Sequence, residues 1–93
     1  GLPAIREHNV RLTTKLAELA LERGLTVNTP LEPASRTGWI GFDFDGSERV
    51  CRGLIAQRIF VDYRPGCGIR ASAHFYTTDD EIDRLFSAID RLR

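Results

Sequence analysis

Apolar positions recur along this chain in two rhythms. Over residues 2–23 they follow the helical period: Ile5, Leu12, Leu16 and Leu19 share one stripe, Ala17 and Ala20 lie beside it, and charged residues lie opposite. Pro3 suits the first turn of that helix, where its missing N–H costs nothing, and Gly24 suits the C′ position that ends it. The same period returns near the end of the chain through Ile82, Leu85, Phe86, Ile89 and Leu92. Thr78, three residues before Glu81, makes a capping box there, and Asp79 and Asp80 complement the helix dipole. A shorter helix is expected over residues 48–58, capped by Ser47, with Val50, Leu54 and Ile55 as its apolar edge.

Between the helices the rhythm shortens to two. Residues 38–44 place Trp39, Gly41 and Asp43 on one face and Ile40, Phe42 and Phe44 on the other. Residues 69–75 set Ile69, Ala71 and Ala73 against Arg70, Ser72 and His74. Residues 25–27 and 59–62 are two further short strands. Loop 28–36 is punctuated by Pro30 and Pro33, and turns fall at Asp45-Gly46 and at residues 64–68. The resulting order, α-β-β-α-β-β-α, predicts an α+β domain: a mainly antiparallel sheet of about four short strands with three helices set to one side.

Composition narrows the function. With 93 residues the chain is long enough for one small domain, spanning residues 1–93. A hydrophobic content of 42% supports a packed core rather than a disordered tail. Thirteen basic and thirteen acidic residues cancel, which leaves no electrostatic footprint for nucleic acid or an anionic membrane. No apolar run approaches the roughly 20 residues that span a bilayer, and no signal peptide is expected, since residues 1–20 lack a basic region followed by an apolar one. Cys51 and Cys67 have neither metal-type spacing nor the numbers for a disulfide scaffold, so a reducing, cytoplasmic setting is expected. There is no methionine and the chain opens Gly-Leu-Pro, consistent with a cleaved terminus or with a piece of a longer protein.

The candidate chemistry lies between Val61 and Asp83. Arg70 and Arg64 flank a glycine-rich turn, and a guanidinium beside bare backbone suits a carboxylate or phosphate. The competing reading of both is a solvated or salt-bridged surface arginine. His74 is a base by type, or a packed structural histidine between its aromatic neighbours. Cys67 is a loop thiol for which the sequence places no general base. Asp79, Asp80 and Glu81 are accounted for by the helix cap rather than by a metal. Gly66 and Gly68 belong to no phosphate-loop fingerprint. The single lysine, Lys15, is expected on the solvent face of the first helix. No catalytic residue, cofactor site or metal site is assigned within the chain.

Three segments carry a family resemblance: IRASAHFYTTDDEIDRL (residues 69–85), VDYRPG (residues 61–66) and LTVNTPLEPASRTGWIGF (residues 25–42). Together they resemble the C-terminal small domain of the class V aminotransferase superfamily of pyridoxal-phosphate enzymes, with VDYRPG most similar to the kynureninase-like branch. Thr77 stands where that family commonly has Asn, and Ala73 where a proline is frequent. The resemblance implies that Arg70 binds the α-carboxylate of an amino-acid substrate, with Arg64 and His74 as possible secondary groups. It also implies that the cofactor lysine belongs to a large domain absent here. The chain is then expected to be a fragment of a homodimeric enzyme, binding no pyridoxal phosphate and catalysing nothing alone. Two other readings stand beside it. One is the matching domain of a cysteine desulfurase or selenocysteine lyase, although Cys67 is too near Arg70 for that family's nucleophile. The other is a free-standing, non-catalytic α+β interaction module.

Overall fold

The computed structural model describes residues 2–28, 39–72 and 78–93. Its elements are α1 (Leu2–Glu22), β1 (Thr26–Val27), β2 (Trp39–Asp43), α2 (Ser47–Ala56), β3 (Asp62–Arg64), β4 (Gly68–Ser72) and α3 (Asp79–Leu92). The strands form one antiparallel sheet in the order β1-β2-β4-β3. The expected α+β architecture and element order are therefore those of the molecule.

All three helices pack on one side of the sheet. Helix α1 lies against β1 and β2, α2 lies against β3 and β4, and α3 packs on both helices. The strand alternation explains this one-sidedness, because Ile40, Phe42, Ile69 and Ala71 all turn toward the helices and are fully buried. Helix α3 answers with Ile82, Leu85, Phe86, Ala88 and Ile89, and the Phe86 ring centroid sits 5.4 Å from that of Phe42. Each such large side chain contributes about 1.5–3 kcal/mol when fully buried. Arg23 and Asp90 tie α1 to α3 through two charge-assisted bonds, from Nε at 2.8 Å and Nη2 at 2.9 Å.

Helices α1 and α2 end alike. In α1, Gly24 N–H donates to Leu21 and Leu25 N–H donates to Ala20, with Gly24 at φ +73°. In α2, Arg58 N–H donates to Ile55 and Ile59 N–H donates to Leu54, with Arg58 at φ +63°. Both are Schellman endings, and each buries the apolar residue that follows.

Four local expectations are corrected. Helix α2 stops at Ala56 rather than Arg58, because Arg58 adopts the left-handed conformation that closes the motif. Gly46, not Ser47, is its N-cap residue. Ser47 Oγ instead donates to Asp43 Oδ1 at 2.5 Å, tying helix to strand. Strand β3 runs over Asp62–Arg64 rather than residues 59–62, since Ile59 is taken up by the helix ending. Ile5 lies on the predicted apolar stripe yet is 58% exposed, because residues 4–8 of α1 project beyond the core.

Candidate functional site

The sheet face turned away from the helices carries the polar chemistry. Alternation and register place Trp39, Gly41 and Asp43 from β2, Arg70 and Ser72 from β4, and Asp62 and Arg64 from β3 on that face. Arg70 stands opposite Gly41 on one side and Asp62 on the other.

The tight turn before β4 sets this register. Cys67 N–H donates to Arg64 C=O at 3.0 Å, with Pro65 and Gly66 at the central positions and Gly66 at φ +81°. Proline followed by a positive-φ glycine is the chemistry of a type II turn. Asn28 Nδ2 braces it by donating to Cys67 C=O at 2.8 Å. Gly68 then lets β4 press against β2, since a Cβ there would lie 2.3 Å from the Phe42 carbonyl oxygen, at a φ of +96°. With the turn fixed, residues 64 and 68, 63 and 69, and 62 and 70 must face one another.

Arg70 is consequently held on two sides. Its Nε donates to Asp62 Oδ1 at 2.8 Å and its Nη2 to Asp62 Oδ2 at 2.6 Å. Its Cζ lies 5.5 Å from the Trp39 ring centroid, within cation–π range. The Arg70 hydrogen bonds hold the Asp62 carboxyl below the usual carboxylate range, and Asp62 in turn keeps Arg70 more firmly protonated. Beside the pair is an open groove of about 340 Å³, with Trp39, Phe60 and Val61 as apolar walls and Arg70, Asp62 and Ser72 as polar groups. Phe60 is 64% exposed at its rim.

The remaining candidates separate from this centre. Arg64 is both the last residue of β3 and the first residue of the turn, exposed on the same face as Arg70. His74 lies outside the described residues. Cys67 is half-buried in the turn. Cys51 is buried in α2, and that burial pushes its thiol pKa up. Asp79 does more than complement a dipole, since it accepts from Arg11 Nη1 at 2.9 Å. Thr78 Oγ1 accepts from Glu81 N–H at 3.2 Å, as the capping box requires. Among the described residues no group of three or more His, Cys, Asp or Glu side chains is placed to hold a metal. Among the described residues no helix is long and apolar enough to cross a membrane.

Lys15 also differs from expectation. Its Nζ is 3.2 Å from Asp83 and 3.4 Å from Asp79, so it bridges α1 to α3 rather than simply decorating solvent. Partial burial opposes its charge, but the two aspartates outweigh this and raise its pKa. It sits in the helical layer, across the sheet from Arg70. This lysine does not fit a cofactor-bearing role in the Arg70 site.

Reading the residues singly missed Asp62 as the partner of Arg70 and Trp39 as its aromatic neighbour. The signal was present in the turn, because a three-residue connection between Arg64 and Gly68 brings residue 62 opposite residue 70.

Fold and site together define a two-layer α+β domain with a helix-covered face and a polar one, which no described helix covers, bearing an oriented arginine. The chain belongs to the kynureninase C-terminal domain family, whose family model matches residues 5–89. It is 36% identical over 101 aligned residues to isopenicillin N epimerase of Streptomyces clavuligerus, covering 99% of this chain and 25% of the epimerase. It is 29% identical to kynureninase of Bacillus anthracis and 30% identical to that of Bacillus mycoides, in each case over 88% of this chain and 20% of the relative. The chain thus spans a quarter or less of the length of these relatives. No solved structure matches it.

Proposed function

We propose that this domain is the C-terminal small domain of a larger pyridoxal-phosphate enzyme of the kynureninase-like, class V aminotransferase type, and that Arg70 clamps the α-carboxylate of its amino-acid substrate. The observation that carries the reading is the guanidinium of Arg70, held by Asp62 and Trp39 beside a groove on the sheet face opposite the helices. A planar, permanently charged fork in that position suits a carboxylate better than the compact point charge of an ammonium does. Membership of the kynureninase C-terminal domain family supplies the substrate class.

In this scheme the cofactor is held by the remainder of a cytoplasmic, dimeric parent, where it supplies an electron sink for the substrate α-carbon. The present chain contributes binding and orientation. Arg70 fixes the carboxylate, which sets the bond at the α-carbon that is aligned for cleavage. The apolar walls around it exclude water as the domain closes over the substrate. In this reading catalysis requires the rest of the parent and this chain alone turns nothing over, which the engagement of its one lysine on the other layer supports.

The test is steady-state kinetics of the full-length parent with its amino-acid substrate. Arg70→Ala is expected to raise KM by about 100-fold, the scale of a lost charge-assisted bidentate contact, while the cofactor absorbance is retained. An unchanged KM sinks the assignment.

A further inference from the structure

An arginine carries five N–H donors arranged along two usable edges. Asp62 occupies one edge of Arg70, taking Nε–H at 2.8 Å and one Nη2–H at 2.6 Å. The other edge, formed by Nη1 and the second N–H of Nη2, hydrogen-bonds no described residue. That edge has the same parallel-donor geometry and matches a second carboxylate. A ligand can therefore dock on Arg70 without displacing Asp62.

Asp62 contributes little to holding the fold. Its side chain is 55% exposed, and it lies on an edge strand of three residues in which only Tyr63 turns toward the core. Exposed ion pairs of this kind are weak sources of stability. What the pair does accomplish is geometric, since a long arginine side chain otherwise spreads over many rotamers. Arg64 lies on the same strand face two residues from Asp62, so Asp62 has a second guanidinium near it, while Asp43 on the same face balances the overall charge.

We infer that Asp62 is the positioning residue of this site: gripping the Nε/Nη2 edge, it orients the Arg70 guanidinium beside Trp39 and offers the Nη1/Nη2 edge to a ligand carboxylate. The inference rests on the reading of Arg70 as a carboxylate clamp and assigns the residue that makes the clamp rigid.

Calorimetric titration of the full-length parent tests it, with L-phenylalanine and L-phenylalaninamide as probes that differ only in the carboxylate. Asp62→Ala is expected to weaken L-phenylalanine binding by about tenfold, the scale of coupling between contacting residues. It is expected to leave the amide unaffected and to add nothing in an Arg70→Ala background. Asp62→Glu, which keeps a carboxylate within reach of the same edge, is expected to restore part of the loss. Equal weakening of both probes marks Asp62 as merely structural and overturns the inference. So does unchanged or tighter L-phenylalanine binding in Asp62→Ala, the second because Asp62 would then be an occupant that the ligand displaces. In both cases a loss in Arg70→Ala keeps the clamp itself. If Arg70→Ala also binds L-phenylalanine normally, the clamp reading falls, and the positioning role with it.

Discussion

The domain builds the same arginine–aspartate unit twice, once in each layer. Arg23 grips Asp90 through Nε and Nη2 and lies 5.1 Å from the Phe86 ring centroid. Arg70 grips Asp62 through the same two nitrogens and lies 5.5 Å from Trp39. The difference is the remaining nitrogen. Arg23 Nη1 donates to the Leu19 carbonyl at 3.1 Å, which completes the end of α1. Arg70 Nη1 donates to no described residue, and Arg70 lines a groove. One unit is a finished clasp between helices that are 67 residues apart in sequence at this point. The other is a local pairing across a hairpin, left open on one side. Identical chemistry serves stability or recognition according to whether the third donor group is satisfied.

The largest effect comes from breaking the platform under the open unit. Gly68→Ala places a Cβ 2.3 Å from the Phe42 carbonyl at a φ of +96°, so β4 must shift against β2. A loss of about 3 kcal/mol in urea denaturation is expected, with loss of Arg70-dependent binding. An unchanged unfolding midpoint contradicts the packing described for this strand.

A crossed pair of substitutions sharpens the contrast. Arg23→Ala is expected to cost about 1–2 kcal/mol in the same measurement, through the lost bonds to Asp90, the helix carbonyl and the Phe86 ring, with KM of the parent unaltered. Arg70→Ala is expected to do the reverse, leaving the midpoint nearly in place and raising KM. If both variants behave alike, the distinction between clasp and clamp fails.

Acid produces the smallest effect. Hydrogen bonds from arginine lower the pKa of Asp62, Asp79 and Asp90 below the ordinary aspartate value of 3.8. Groups with a depressed folded pKa stabilise the native state above the unfolded value, and that contribution is lost as pH falls through the folded one. The urea midpoint is therefore expected to be flat between pH 7 and 5 and to fall below about pH 4. Asp90→Asn is expected to flatten that fall more than Asp62→Asn does, because the Asp90 pair joins two helices.

The fold was largely legible because its signals are local. The capping box at Thr78 and Glu81, the period of α3, the glycine ending α1 and the alternation through β2 each act within a few residues of themselves. The misplaced boundaries share one cause. Arg58 holds a conformation usually given to glycine, and nothing in its type announces that, so the end of α2 and the start of β3 were both displaced. Ser47 looked like a cap because hydroxyls usually are, whereas its partner Asp43 lies on the preceding strand. Arg70 was visible by residue type and setting. Its orientation was not, since Asp62 and Trp39 reach it only through strand pairing. Lys15 shows the same limit, for its aspartates are contributed by a helix at the far end of the chain.

The margins of the sheet have their own consequence. Exposed strand edges template further strands, the route by which sheets merge and aggregate. Here the marginal strands are β1, of two residues, and β3, of three, the latter bearing Asp62 and Arg64 and running straight into Pro65. Among the described residues these short rims, the second of them charged, offer an incoming strand little backbone to pair with, so strand addition at the borders of the sheet is disfavoured.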